Sequence, residues 1–220
     1  MENTDDTAAT DDLARLAADA RKLTAGVPRA VLGIAGPPGT GKSTLARALV
    51  ERIGEDAAYL PLDGFHLSNG QLARLGLTGR KGSEPSFDVA GYVALLRRVL
   101  GDPGHDIYVP DYDRTLHEPV AARHLVPPAA RLVITEGNYL ACDLPGWRAA
   151  YDLMAECWYL DSPAEVRQRR LVERQLAGGR SPEEAVTWVA TNDGPNGELV
   201  ETSRGRCGRI LSEIGMDMFN

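Results

Sequence analysis

The chain has 220 residues, with 24 Lys and Arg against 31 Asp and Glu, a formal net charge of −7. At 43% apolar and 25% charged it can bury a sizeable core, which excludes wholesale disorder and fibrous classes. The acidic balance disfavours a protein whose task is to hold nucleic acid or an anionic membrane, because counterion release needs a basic face.

Residues 1 to about 10 read as a disordered acidic tail without the basic start and apolar stretch of a signal peptide, and residues 11–220 as a single domain. From Asp12 the pattern turns helical, with Leu13, Leu16, Ala17, Ala20 and Leu23 on one stripe and Gly26-Val27-Pro28 as the stop. Ala30–Ala35 reads as a buried strand, Lys42–Ile53 as a helix and Ala57–Leu62 as a second strand. Asp88–Leu100 reads as a helix with Val89, Val93, Leu96, Val99 and Leu100 inward. Ile107–Val109, Leu132–Ile134 and Cys157–Leu160 are further short strands, and a long Arg-rich helix starts at Pro163. This alternation predicts an α/β fold, a parallel sheet with helices on both faces. Cys142, Cys157 and Cys207 form no Cys-x-x-Cys, so neither a disulfide framework nor a zinc site is expected. No apolar run approaches the ~18 residues of a membrane span. The expected compartment is the cytoplasm.

Gly36-Pro37-Pro38-Gly39-Thr40-Gly41-Lys42-Ser43 fits G-x-x-x-x-G-K-[ST] after an apolar strand and before a helix. The glycines let backbone N–H groups curl around an anion, and the helix N-terminus adds partial positive charge. Gly36 through Thr44 are therefore expected to bind a nucleoside triphosphate, with Lys42 on the β and γ phosphates and Ser43 on Mg²⁺. The loop alone does not separate kinases, GTPases, ATPases and motor domains.

Two strand-end acids narrow the choice. Asp63, in Asp63-Gly64-Phe65-His66, can accept the proton of an attacking hydroxyl or can simply be a turn aspartate. Glu136 follows Leu132-Val133-Ile134-Thr135, where a carboxylate reaches Mg²⁺ or its waters, and could equally sit in a plain turn. Arg167, Arg170 and Arg174 share a helix face, and Arg180 follows Gly178-Gly179. Such arginines are either a solvated surface or a phosphate-clamping lid with a glycine hinge.

The order of the phosphate loop, Asp63-Gly64-Phe65, Pro110-Asp111-Tyr112-Asp113, Glu136-Gly137-Asn138 and an Arg-rich helix resembles the phosphoribulokinase/uridine kinase family of P-loop kinases. The stretch from Asp63 to Asp88 is similar to that following the catalytic aspartate of bacterial type I pantothenate kinases. The nearest likeness is to nucleoside-kinase-like and fructose-transport-system-kinase-like members, and the resemblance runs with gaps from about Val31 to Leu211. It implies a three-layer P-loop sandwich with an Arg-rich lid, using ATP and Mg²⁺ on a small-molecule acceptor. In that reading Asp63 is the general base, and Lys42, Arg170 and Arg174 act on the transferring phosphoryl group. Arg180 joins the ATP-binding set, and Ser43 and Glu136 hold the metal. The acceptor set would be Asp63, His66, Lys81, Tyr112, Arg114, Glu136 and Asn196, although Asn192–Asn196 reads by itself as a loop. Pantothenate, a nucleoside, a sugar or a sugar phosphate each suit some of these motifs. Related kinases are often homodimers, and no nucleic-acid or membrane partner is expected. The competing reading is a nucleotide-dependent switch with slow NTP hydrolysis, which the motifs address only by omission: there is no guanine-reading Asn-Lys-x-Asp.

Overall fold

β1 (Ala30–Ala35) is apolar throughout and buried at every position, as a central strand covered on both faces must be. In the computed structural model, which describes residues 4–212, the chain runs through α1 (Thr4–Lys22), β1, α2 (Lys42–Ile53), β2 (Ala57–Pro61), α3 (Asn69–Leu75) and α4 (Val89–Gly101). It continues through β3 (Ile107–Asp113), β4 (Glu118–Val126), β5 (Leu132–Glu136), α5 (Trp147–Tyr151) and β6 (Glu156–Leu160). Last come α6 (Ala164–Ala177), α7 (Pro182–Trp188), a π-helical turn (Val189–Asp193), α8 (Gly194–Glu201) and β7 (Arg209–Leu211).

The five-stranded sheet has the order β2-β5-β1-β6-β7, and every pairing is parallel. The strand period of two sorts its side chains into two cores. Val31, Ala35, Ala58, Leu60 and Val133 face α4, α5 and the 139–142 segment, while Ala30, Leu32, Ile34, Tyr59 and Ile134 face α1 and α2. Fully burying a side chain such as Leu32, Ile34 or Leu60 contributes about 1.5–3 kcal/mol. The layers are therefore helix, sheet, helix.

Several expectations are corrected. The helix α1 starts at Thr4, inside the span expected to be a disordered tail; residues 1–3 lie outside the described residues. No Gly or Pro interrupts residues 4–22, so the helical run has no local stop signal. Ile107–Val109 does not join the parallel sheet. It opens an antiparallel hairpin with β4, a strand the apolar pattern did not reveal because most of its residues are exposed or half-buried. The hairpin is bulged between Val109 and Asp111, and Ala122 on the opposing strand takes φ 58. Strand β2 ends at Pro61, and Leu62–Phe65 forms a 3₁₀ turn. Finally, Asn192–Asn196 is helical rather than a loop. Pro195 follows directly on the π-helical turn, whose wider register, with the Gly194 N–H on the Val189 carbonyl, carries the helical run from Pro182 to Glu201 past the proline.

Candidate active site

The parallel register sets Ile34 and Pro61 on either side of Glu136, so β1, β5 and β2 end together at one edge of the sheet. From the end of β1 the chain enters the Gly36–Ser43 loop. Gly39 and Gly41 take φ 83 and φ 88, left-handed values that a side chain would oppose. Gly41 also provides no side chain to cap α2, whose N-terminal N–H groups therefore point into the loop. Pro37 and Pro38 are buried, and the Pro37 carbonyl accepts from Thr40 Oγ1 at 3.0 Å and from Lys42 Nζ at 2.8 Å. Thr44 is half-buried in the first turn of α2. Burial pushes the Lys42 amine down to about 8, against the opposing pull of the Glu136 and Asp63 carboxylates.

Glu136 is 5% exposed. Its Oε1 accepts from Ser43 Oγ at 3.0 Å and from the Tyr59 hydroxyl at 2.8 Å. Burial, reinforced by the nearby Asp63 charge, raises the Glu136 carboxyl above its ordinary range. These oxygens are hard donors beside a phosphate loop, and they suit Mg²⁺, which keeps water and phosphate oxygens in its shell. Among the described residues no group of three or more His, Cys, Asp or Glu forms a self-sufficient metal site. The donor set therefore fits a metal shared with a nucleotide.

Asp63 sits in the 3₁₀ turn after β2. The turn is pressed onto the hairpin, since a Cβ on Gly64 would lie 2.3 Å from the Pro110 carbonyl oxygen. The Arg114 guanidinium stands 3.9 Å from Asp63 Oδ2. His66 donates from Nδ1 to the Asp63 carbonyl at 2.8 Å and stacks between Phe87 and Tyr112, at 4.1 and 5.0 Å between ring centroids. Burial lowers the His66 pKa, outweighing the Asp63 charge, so the ring is neutral at neutral pH. Lys81 lies 5.0 Å from the Tyr112 ring centroid. Thus Asp63, His66, Lys81, Tyr112 and Arg114 form one cluster beside the phosphate loop.

Asn196 belongs to this cluster only indirectly. It is buried, and its amide donates to the Gly82 carbonyl at 3.3 Å, which makes it a brace for the Lys81 segment. The arginines divide as well. Arg167 pairs with Glu201 at 2.5 Å, and its backbone packs against Gly39. The charges of Arg174 and Arg167 both oppose protonation of Lys42, which places them in the field of the phosphate loop. Arg180 donates to Gln175 Oε1 at 3.0 Å and lies 4.1 Å over the Trp188 ring. Arg170 is half-buried on α6 between them.

Tyr59, Asn192 and Arg47 were not expected at the site. Arg47 lies 5.1 Å over Tyr59 and 3.8 Å from Asp111, which His124 also holds at 2.8 Å. Strand periodicity carries a signal for Tyr59, because positions 57, 59 and 61 share the α2 side with 132, 134 and 136. Asn192 has no local signal.

A phosphate loop at the end of β1, with acids at the ends of β2 and β5 and an arginine-bearing helix packed on the loop, defines a P-loop phosphotransferase. No protein-family profile matches the whole chain or a part of it. The Escherichia coli (strain K12) protein YggC is 38% identical over 178 residues, covering 78% of this chain and 73% of the relative. A Schizosaccharomyces pombe protein named "putative uridine kinase C227.14" is 33% identical over 200 residues, covering 84% of each chain. A crystal structure from Silicibacter sp. TM1040, described as a "putative fructose transport system kinase", superposes with a TM-score of 0.83 at 32% identity, covering 90% of this chain and 98% of that one. The chain belongs to the P-loop kinases of the phosphoribulokinase/uridine kinase type. Among the described residues no helix is long and apolar enough to cross a membrane.

Proposed function

We propose that the chain transfers the γ-phosphoryl group of Mg²⁺-ATP to a hydroxyl of a small metabolite. The observation that carries this reading is the common edge of β1, β5 and β2, which puts Lys42, Ser43, Glu136 and Asp63 within one site. The loop N–H groups and Lys42 hold the triphosphate, and Lys42 reaches the β and γ oxygens. Ser43 and Glu136 would hold Mg²⁺, which when bound draws charge from the phosphate oxygens. Asp63 accepts the proton of the acceptor hydroxyl as its oxygen bonds to the γ phosphorus and the bond to ADP breaks. Arg174 and Arg170 neutralise charge on the transferring group, with Arg180 at the far end of the lid. A closed lid excludes the water that would otherwise compete as acceptor.

The test is ADP release from Mg²⁺-ATP against pantothenate, D-glycerate, ribulose 5-phosphate, uridine, cytidine and fructose, with each product weighed by mass spectrometry. A phosphorylated product that disappears in Asp63→Asn supports the reading. ADP release indifferent to every acceptor, and unchanged in that variant, points instead to a nucleotide-dependent switch.

A further inference from the structure

The hairpin and α3 bring many charges to the acceptor side of the site, and most are already matched. Asp111 is held by His124 at 2.8 Å and Arg47 at 3.8 Å. Asp113 accepts from Arg123 at 3.0 Å and from the backbone N–H groups of Thr115 and Leu116. Both Glu118 oxygens lie 3.1 Å from the Asn69 N–H. Two cations of the cluster around the base are different. Lys81 Nζ donates to Asn69 Oδ1 at 2.6 Å and to the His117 carbonyl, and it faces the Tyr112 ring; these three contacts are neutral, and Glu118, the carboxylate whose charge reaches Lys81, spends both its oxygens on the Asn69 N–H. Arg114 meets Asp63 only at 3.9 Å, with its side chain 62% exposed.

Lys81 is also held from behind. Its carbonyl accepts from Asn192 Nδ2 at 3.0 Å, and the next carbonyl, that of Gly82, accepts from the Tyr139 hydroxyl at 2.8 Å and from Asn196. Asn192, Asn196 and Tyr139 are all buried. Three buried donors on one short stretch of backbone restrict where the Lys81 ammonium can go.

Resting on the kinase reading above, we propose that the acceptor carries an anionic group, a carboxylate or a phosphate, besides the hydroxyl that is phosphorylated, and that Lys81 and Arg114 receive it. A neutral polyol in this pocket would strip water from two cations without supplying a countercharge. An anion supplies it, and it suits the planar fork of Arg114 and the point charge of Lys81. His66, neutral and engaged with the Asp63 carbonyl, contributes shape rather than charge.

The experiment is titration calorimetry of the full chain, saturated with Mg²⁺ and a non-hydrolysable ATP analogue. The probes are D-glycerate and pantothenate as carboxylates, ribulose 5-phosphate as a phosphate, and uridine, cytidine and fructose as neutral acceptors. An anionic probe is expected to bind at least tenfold more tightly than any neutral one. That affinity should fall about tenfold or more in Lys81→Met and in Arg114→Gln, and Lys81→Arg should keep most of it. Which anionic probe binds separates carboxylate from phosphate. A neutral probe binding as tightly, no saturable binding by any anion, or indifference to both charge removals would overturn the proposal. Product mass is read separately. An anion that binds through Lys81 but is never phosphorylated marks an anion site that is not an acceptor site and overturns the proposal, whereas the kinase reading falls only if no acceptor, anionic or neutral, is phosphorylated.

Discussion

The Tyr59 hydroxyl donates to Glu136 Oε1 at 2.8 Å, and Ser43 Oγ donates to the same oxygen at 3.0 Å. The helix carrying the phosphate loop's serine and the strand next to β5 thus hold one carboxylate oxygen between them. The Tyr59 ring is in turn set by Arg47 and by an edge-on contact with His124 at 5.2 Å. Through these contacts the β3–β4 hairpin, which lies outside the main sheet, bears on the position of the candidate metal ligand.

Tyr59→Phe removes one donor from a buried carboxylate while keeping the ring. It should raise the Mg²⁺ concentration needed for half-maximal activity several-fold, with turnover at saturating Mg²⁺ changed much less. Unfolding free energy should drop by about 1–3 kcal/mol, the usual cost of leaving a buried polar group short of a partner. A Mg²⁺ titration beside a urea unfolding curve checks both; an unchanged Mg²⁺ requirement would assign Tyr59 to packing alone.

Asp63→Asn keeps the size of the side chain and removes its basicity. Turnover should fall by roughly 10²–10⁴-fold while ADP affinity stays near that of the unaltered protein. Single-turnover kinetics and calorimetry measure the two quantities. Undiminished turnover with a phosphorylated acceptor would remove Asp63 from the role of base.

Gly64→Ala tests the seat of that base. The new methyl carbon would lie 2.3 Å from the Pro110 carbonyl oxygen, a backbone atom that cannot rotate aside. Overpacking of this kind costs about 1–3 kcal/mol. A displacement of Asp63 by ~1 Å should also lower kcat by about 10²-fold. Both losses should appear together in unfolding and rate measurements on the same preparation.

His66 makes stability pH-dependent. Unfolded imidazole titrates near 6.5, and burial holds the folded ring below that. Between those values the unfolded state binds more protons, so stability falls as pH drops from about 6.5 through the folded pKa. Urea midpoints at about pH 7.5 and pH 5 should therefore differ more in the unaltered protein than in His66→Gln. Equal differences would show that another group carries the acid sensitivity.

Local signals made much of this molecule legible. The limits of β1 and α2 follow from an unbroken apolar run and from a Gly-Lys-Ser junction that starts a helix. The phosphate loop is contiguous, so its chemistry is written in eight neighbouring residues. Asp63 and Glu136 could be read as strand-end acids because each closes its own apolar segment. Ile107–Val109 misled because an apolar triplet reads alike in a sheet centre and in a hairpin. Asn192–Asn196 misled because Gly-Pro reads as a break even where a π-helical turn carries the helix across it.

By itself the sequence determined a nucleotide-binding α/β chain with two candidate acids and a set of arginines, since those features depend on backbone chemistry and periodicity within short segments. Only the tertiary structure decided which groups meet. Ser43 and Glu136 are 93 positions apart, Tyr59 and Glu136 77, and Asn192 and Lys81 111. Contacts over such separations arise from strand order and layer packing, where a buried donor must find a buried acceptor on whichever element lies alongside. No local pattern encodes that neighbour, and the hydrogen bond from Asn196 to the Gly82 carbonyl, 114 positions away, is of the same kind.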